Sequence, residues 1–214
     1  MKNNFKLGFS LLEVSVVLLI VGILLASVSA GKSMIKTSRI TSAQSLTANS
    51  PVSAVEGLVI WLEPTLTASF SEDDTYDYQD ISGWQNITNY FTSSKFNIVG
   101  SAPKYVESSI NDLPSVRFET GRSLDINSAL KNITGTNFSI FIVEEKSVNN
   151  NGGKIISSDS LTLKYNDSNN FIIEKNGSTE ITTTVANNSP AINYISFASS
   201  ASGIAPEGLN YYRN

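Results

Sequence analysis

Hydrophobic residues are unevenly distributed along the chain, and the longest run of them lies near the N-terminus. The 22 residues from Phe9 to Ala30 carry a single charge, that of Glu13. As an α-helix with a rise of about 1.5 Å per residue, this stretch is about 33 Å long, which is enough to cross the hydrocarbon core of a bilayer. The pattern predicts a membrane helix with one acidic residue near its start.

Residues 31–50, which follow, are mostly polar. Their few apolar residues form only a ragged face, made of Met34, Ile35, Ala43 and Leu46. This pattern favours a frayed helical continuation and linker over a coiled coil. Pro51 disfavours the helical conformation at the residue before it, Ser50, so we expect the helix to break there.

From Gly57 onward the pattern changes to that of short β-strands. The runs GLVIWL at 57–62 and SIFIVE at 139–144 are continuously apolar, which is typical of strands that are buried on both faces. LTLKY at 161–165 alternates between apolar and polar residues, as expected of a strand with one buried face.

The C-terminal part of the chain carries a hairpin signal. FIIEK at 171–175 is followed by Asn176-Gly177, a dipeptide that favours a two-residue hairpin turn, and then by STEITTTV. INYISFA at 192–198 and LNYYR at 209–213 are further strand candidates. About eight to ten short strands of this kind predict an all-β sandwich head over residues 51–214.

Composition excludes several classes of function. The chain has 214 residues, a net charge of −4 and no block of basic residues, so it lacks the clustered Lys and Arg that nucleic-acid binding requires. It contains no Cys and no His, which excludes disulfides, thiolate nucleophiles, imidazole bases and metal sites built on these residues. Most familiar hydrolytic chemistry is therefore excluded. We expect a protein without enzymatic activity and without a cofactor, apart from the alternative of a calcium ion discussed below.

Glu13 distinguishes the N-terminal segment from an ordinary signal or anchor. A charged carboxylate inside hydrocarbon costs roughly 2.5–3.5 kcal/mol, so an acid at this depth indicates a function. A secretory signal would use Lys2 and Lys6 as its basic start and Val28-Ser29-Ala30 as its cleavage site, but its apolar core is shorter. A plain membrane anchor accounts for the length of the stretch. Neither alternative explains Glu13.

The segment KLGFSLLEVSVVLLIVGILL, at residues 6–25, resembles the leader and first helix of the type IV pilin and type II secretion pseudopilin family. The resemblance implies a leader of residues 1–8 and cleavage between Gly8 and Phe9 by a prepilin peptidase. It also implies N-methylation of Phe9 and a transmembrane and assembly helix over residues 9–30.

In this family the acid at the fifth mature position, here Glu13, is thought to meet the free amine of a neighbouring subunit. Phe9 and Glu13 lie one helical turn apart on one face, and pairing offsets part of the cost of each charge in hydrocarbon. The partners implied are a prepilin peptidase, other pilin or pseudopilin subunits and the inner membrane. The chain would be a single-pass minor pilin or pseudopilin of the bacterial inner membrane, with its head in the periplasm or at the cell surface.

Residues 57 to about 145 resemble the concanavalin A-like (laminin-G-like) jelly-roll domains of bacterial surface proteins. The resemblance rests on the opening GLVIWL run, a loop that contains Trp84, and the segment NDLPSVRF at 111–118. It implies a jelly-roll head and supports an alternative function, that of a membrane-anchored, lectin-like protein that binds carbohydrate. Glucanases of this fold carry a Glu-x-Asp-x-Glu strand, which this sequence lacks.

Two candidate ligand contacts lie in the head. Trp84, in a loop rich in Gly and Asn, could stack on a sugar ring, whereas Trp61 lies in an apolar run and is predicted to be a core residue. The loop SEDDTYDYQD is either a solvated acidic loop or a calcium site, because calcium favours several oxygen ligands on a flexible loop. The candidate ligands are Asp73, Asp74, Asp77 and Asp80.

LNYYRN, at residues 209–214, resembles a late strand of such sandwiches that further strands normally follow. We therefore expect the head to be either a truncated gene product or a domain completed by a partner's strand. An open sheet edge is expected near residues 192–198 or 209–213.

Overall fold

The computed structural model describes residues 10–88, 95–119, 121–126, 137–147, 153–157, 161–166, 170–186, 188–198 and 208–214. The chain divides into two compact units, residues 1–49 and residues 50–214. The described part of the first unit is a single α-helix, and the second unit consists of β-strands with a few short 3-10 turns.

The helix α1 runs without interruption from Leu11 to Ala48, a length of 38 residues. At about 1.5 Å per residue it is about 57 Å long, nearly twice the thickness of the hydrocarbon core of a bilayer. In the described part of the chain it is the one helix that is long and apolar enough to cross a membrane. The helix continues through residues 31–48 without the fraying expected there.

The C-terminal end of α1 lies where the sequence predicts it. Asn49 caps the helix: its backbone N–H donates to the carbonyl oxygen of Ser45 at 3.1 Å, and its side-chain amide donates to the same oxygen at 2.7 Å. Ser50 then adopts an extended conformation before Pro51. Proline geometry and a side-chain cap therefore end the helix together.

Three serines lie in the apolar part of α1, and each of them bonds to the helix itself. The hydroxyl groups of Ser15, Ser27 and Ser29 donate hydrogen bonds of 2.8, 2.8 and 3.1 Å to carbonyl oxygens three or four residues earlier. An unpaired hydroxyl would be costly in hydrocarbon. These bonds let the serines occupy an apolar environment without another partner.

The head contains twelve strands among its described residues. They are β1 (Trp84–Gln85), β2 (Lys95–Gly100), β3 (Lys104–Val106), β4 (Ser115–Arg117), β5 (Arg122–Asp125), β6 (Phe138–Glu145), β7 (Lys154–Ser157), β8 (Leu161–Tyr165), β9 (Asn170–Lys175), β10 (Ser178–Thr184), β11 (Pro190–Ala198) and β12 (Gly208–Arg213). Short 3-10 turns occur at Pro51–Ala54, Thr67–Ser69, Glu72–Thr75 and Ile110–Asp112.

Two antiparallel sheets pack face to face in the C-terminal half of the head. The four-stranded sheet has the order β10-β9-β8-β7, and the three-stranded sheet has the order β12-β11-β6. Their facing side chains form one core cluster, in which Leu163, Phe171 and Ile173 from the first sheet are fully buried with Ile195 from the second. The predicted fold class, an N-terminal membrane-type α-helix followed by an all-β sandwich, is confirmed.

A second core cluster belongs to the N-terminal half of the head, where the strands form the sheets β1-β2-β5 and β3-β4. Its buried members are Phe70, Ile81, Trp84 and Tyr105. The ring centroid of Phe70 lies 5.4 Å from that of Trp84 and 5.5 Å from that of Tyr105. Tilted and edge-on aromatic contacts therefore organise this smaller core.

The GLVIWL run does not form the strand that was predicted for it. Residues 58–63 are not assigned to a strand and have no ladder partner among the described residues. The side chain of Asn86 pairs with this segment instead: Oδ1 accepts from the N–H of Trp61 at 2.8 Å, and Nδ2 donates to the carbonyl oxygen of Val59 at 2.9 Å. The hydroxyl of Thr88 also donates to the carbonyl oxygen of Val59 at 3.1 Å, and the N–H of Ile87 donates to that of Trp61 at 3.1 Å. Residues 86–88 therefore satisfy this backbone, and residues 58–63, including Trp61, are half-buried outside any sheet.

Strand β6 confirms the strand predicted at 139–144 but not its burial on both faces. Its side chains alternate between half-buried and exposed positions. The exposed face carries a row of aromatic rings that crosses three strands: Phe141 stacks on Tyr194 with centroids 4.6 Å apart, and Tyr194 stacks on Tyr212 at 6.0 Å. The outer face of this sheet therefore exposes several large apolar side chains, which is why the sequence of β6 looks buried on both sides.

The predicted hairpin at Asn176-Gly177 is confirmed. Lys175 pairs with Ser178 across a two-residue turn. Asn176 and Gly177 have φ values of 49° and 78°, the left-handed values that a type I′ turn requires. The strand candidates at 161–165, 171–175, 192–198 and 209–213 are also confirmed, as β8, β9, β11 and β12.

Strand β12 lies at the edge of its sheet. Among the described residues it pairs with β11 alone. The N–H of Asn214 donates to the carbonyl oxygen of Ile192 at 3.1 Å, so the pairing continues beyond Arg213. This agrees with the open edge expected near 209–213.

Candidate functional site

Ser10 and Glu13 form a reciprocal hydrogen-bonded pair at the start of α1. Ser10 is the N-cap residue, with an extended backbone at φ −69° and ψ 144°. Its hydroxyl oxygen accepts from the N–H of Leu12 at 3.3 Å, and its own N–H donates to Oε2 of Glu13 at 2.8 Å. This is a capping box, in which the side chains of the N-cap and the third helical residue each accept from a backbone N–H.

The capping box reduces the cost of placing Glu13 in an apolar helix. A side-chain cap contributes about 1 kcal/mol, and a carboxylate near a helix N-terminus gains about 0.3–1 kcal/mol from the helix dipole. Both contributions are smaller than the roughly 2.5–3.5 kcal/mol that a charge costs at the centre of a bilayer. The cap alone therefore does not account for a charged residue here.

Ser10 is not among the functional residues predicted from the sequence, although the sequence carries a signal for it. Ser-x-x-Glu before an apolar run is the sequence pattern of a capping box, and residues 10–13 read Ser-Leu-Leu-Glu. Of the residues predicted for cleavage, methylation and assembly, Glu13 is described, whereas Gly8 and Phe9 lie outside the described residues.

Trp84, the candidate sugar contact, lies in strand β1 and not in an open loop. Its side chain is 9% exposed and packs against Phe70 in the smaller core. The indole Nε1 is buried and has no hydrogen-bond partner within the described part of the chain. A ligand contact at Trp84 stays a prediction, and it requires this ring to be uncovered.

The four aspartates considered as calcium ligands do not share a hydrogen-bond partner. Oδ2 of buried Asp74 accepts from the hydroxyl of Ser82 at 2.7 Å. Oδ1 of Asp77 accepts from the N–H of Glu107 at 3.0 Å, and Asp73 is exposed. In the described ranges no three acidic side chains form a group that could hold a metal ion. The four carboxylates therefore do not share one site, and calcium binding by this loop stays the alternative to a solvated acidic loop.

Asp80, the fourth of these aspartates, belongs to an ion-pair cluster at the surface. Its Oδ1 lies 3.0 Å from Nζ of Lys104 and 3.1 Å from Nη1 of Arg122. Arg122 also pairs with Glu119 at 3.2 Å. The hydrogen bond from Lys104, helped by that from Arg122, lowers the pKa of Asp80 below its ordinary value. The carboxylate of Asp80 therefore links its own loop to strands β3 and β5 through ion pairs.

A buried polar network links the two sheets of the sandwich. Oε1 of Glu144 in β6 accepts from Nδ2 of Asn193 at 2.9 Å and from Nη1 of Arg213 at 2.8 Å. The hydroxyl of Tyr165, in the opposite sheet, donates to the same carboxylate oxygen. Tyr211 donates to Oδ1 of Asn193 at 2.8 Å. No prediction from the sequence included this network.

The network changes the acid–base behaviour of Tyr165. Burial of the phenol, followed by its hydrogen bond to the carboxylate of Glu144, raises the pKa of Tyr165 well above its ordinary value. Burial also raises the pKa of Tyr211. Both phenols therefore stay neutral donors at physiological pH, which suits a network that holds two sheets together.

The comparisons with known proteins concern the N-terminus. Residues 3–29 match a family model described as the prokaryotic N-terminal methylation motif. No curated protein and no solved structure matches the chain significantly. The matched range contains the capping box and the start of the apolar helix.

This motif supports a type IV pilin-like subunit that a prepilin peptidase processes and that assembles with other pilin subunits. Together with the apolar helix it is consistent with a membrane-anchored, single-pass protein. The role that it suggests is structural and not enzymatic.

Proposed function

We propose that this chain is a minor pilin or pseudopilin. Its leader is removed at the Gly8–Phe9 bond, Phe9 is N-methylated, and α1 carries the subunit from the inner membrane into a type IV pilus or a type II secretion pseudopilus. The observation that carries the proposal is the position of Glu13, in the first turn of an apolar helix that has no buried residue. The head then lies in the periplasm or at the cell surface.

The exposed surface of α1 supports this role. Its large apolar side chains are exposed from Leu11 to Val28. Burying one Leu, Ile or Val side chain away from water stabilises by about 1.5–3 kcal/mol. Lipid provides that burial before assembly and packed helices provide it in a filament, so the same surface suits both states.

Glu13 supplies what this uniform surface lacks, a preferred axial position. Leu, Ile and Val side chains pack almost equally well when one helix slides along another, whereas a buried carboxylate strongly favours the position where a cation meets it. The free amine at Phe9 of a neighbouring mature subunit is such a cation. Pairing of Glu13 with this amine would fix the rise from one subunit to the next.

The head supports a minor rather than a major subunit. We take its sandwich to be a jelly roll of the concanavalin A-like type, an unusual head for a major pilin. The lectin-like alternative gains no support from Trp84, because that ring is in the core.

The test of the proposal is the mass of the intact protein extracted from membranes. We expect a chain that begins at Phe9 and carries a methyl group. Leu7→Ile should be processed in the same way, whereas Gly8→Val, which changes the residue before the bond, should keep its leader. A wild-type chain that begins at Met1, or at Gly31 as after a secretory signal, would contradict the proposal.

A further inference from the structure

The carboxylate of Glu13 is only half used by the capping box. Oε2 accepts from the N–H of Ser10 at 2.8 Å. The other oxygen, Oε1, has no hydrogen bond within the described residues. A carboxylate has about four acceptor positions, so Glu13 can hold Ser10 and still accept from a second donor.

The bond to Ser10 also fixes the direction of the Glu13 side chain. Side chains on a helix tilt toward its N-terminus, and this bond draws the carboxylate back over the first turn. A glutamate on an exposed helix otherwise samples several rotamers, and fixing them costs entropy at the moment of binding. The capping box therefore holds the acceptor in place before any partner arrives.

We propose that Ser10 is a positioning residue for assembly: its N–H and hydroxyl hold Glu13 so that the free oxygen faces the amine of the neighbouring subunit. This inference rests on the proposed function. It assigns a role to a residue that does not itself contact the amine.

A substitution can remove the hydroxyl of Ser10 and leave its backbone N–H in place. By accepting from Leu12 at 3.3 Å, it keeps Ser10 in the extended N-cap conformation. In that conformation the N–H of Ser10 points at Glu13. Without the hydroxyl, the first turn frays more often and the carboxylate loses its fixed position.

The experiment compares Ser10→Thr with Ser10→Val in the full chain. Thr and Val have nearly the same shape, but only Thr keeps the hydroxyl. Incorporation into filaments is measured as a fraction of the cleaved subunit, so that an effect on processing is not mistaken for one on assembly. We expect Ser10→Thr to assemble as well as wild type, and Ser10→Val to assemble roughly fivefold less, the population change expected for a lost cap.

Equal incorporation of Ser10→Val and Ser10→Thr overturns the inference, whether both match wild type or both fall. A Ser10→Val chain that is not cleaved also overturns it, because the effect then precedes assembly. Glu13→Ala, measured in parallel, separates the two proposals. If Glu13→Ala assembles normally, the proposed function fails; if it does not assemble while Ser10→Val does so normally, only the role of Ser10 fails.

Discussion

Arg213 in β12 donates a hydrogen bond of 2.8 Å to Glu144 in β6, although strand β11 lies between the two. Both side chains point to the inner face of the sheet, and both are largely buried. Tyr165 reaches the same carboxylate from the opposite sheet. Three strands of one sheet and one strand of the other therefore meet at a single carboxylate.

Arg213→Met should destabilise the head by about 3–5 kcal/mol, because it leaves the carboxylate of Glu144 buried without its cation. This change is measured by urea unfolding of the detergent-solubilised chain, with cleavage by a protease as the readout of the unfolded fraction. Glu145 is the matched control, since it is the next residue on β6 and is exposed. Glu145→Gln should change the free energy of unfolding by less than about 0.5 kcal/mol. Similar losses in both variants would show that the network contributes little.

The stability of the head should fall above about pH 10. The pKa of a tyrosine in the unfolded chain is 10.0, whereas burial and then Glu144 raise the pKa of Tyr165 in the native state. Above pH 10 the unfolded chain therefore binds fewer protons than the native chain, and the free energy of unfolding decreases as pH rises. Well below pH 10 the phenol is protonated in both states and adds no pH dependence.

Tyr165→Phe should make this alkaline decline shallower when urea unfolding is compared at about pH 8 and about pH 11. Burial raises the pKa of Tyr105 and of Tyr211 as well, so part of the decline should remain. Tyr76 is exposed and serves as the control, since Tyr76→Phe should leave the slope unchanged. An unchanged slope in Tyr165→Phe would mean that its phenol is not shielded.

Glu13→Val should insert into the membrane as well as wild type, because it removes a charge that costs roughly 2.5–3.5 kcal/mol in hydrocarbon. It should nevertheless fail to enter filaments. Membrane fractionation measures insertion, and co-purification with assembled subunits measures incorporation. Glu13→Gln keeps a side-chain oxygen for the cap and loses the charge, so it should also fail while keeping the helix content of wild type. Normal incorporation of Glu13→Gln would show that the charge is not required.

Asn86→Ala should destabilise the head by about 1–3 kcal/mol, because it leaves the N–H of Trp61 without its acceptor, whereas the carbonyl oxygen of Val59 keeps its bond from the hydroxyl of Thr88. Hydrogen exchange at the amide of Trp61 should accelerate at the same time. Asn97 is exposed on β2, and Asn97→Ala should alter neither quantity. Protection that survives at Trp61 in Asn86→Ala would mean that another group shields this amide.

Local patterns predicted the elements that depend on neighbouring residues. Asn176-Gly177 specifies its turn through the φ angles that the two residues accept, so the hairpin could be predicted from the sequence alone. Likewise, Asn49 and Pro51 mark the end of α1 without reference to the rest of the chain. The capping box at Ser10 is likewise specified by neighbouring residues, the four consecutive positions 10–13.

Elements that depend on distant residues could not be predicted in this way. An apolar run such as GLVIWL is compatible with a buried strand, but its backbone bonds to residues 86–88, which begin 25 residues beyond Trp61. The pair of Glu144 and Arg213 spans 69 residues and depends on the register of three strands. Single-sequence patterns contain no information about that register.

The hydrogen bonds of the serines in α1 affect how easily the helix can move from lipid into a protein environment. Ser15, Ser27 and Ser29 are already bonded within the helix, so their partners need not change when lipid around the helix is replaced by protein. Between Leu11 and Ala30 the other polar side chain is that of Glu13. Extraction of the helix from a bilayer would then break no side-chain hydrogen bond of the serines. If the proposed function is right, Glu13 is the polar side chain of this stretch that gains a new bond.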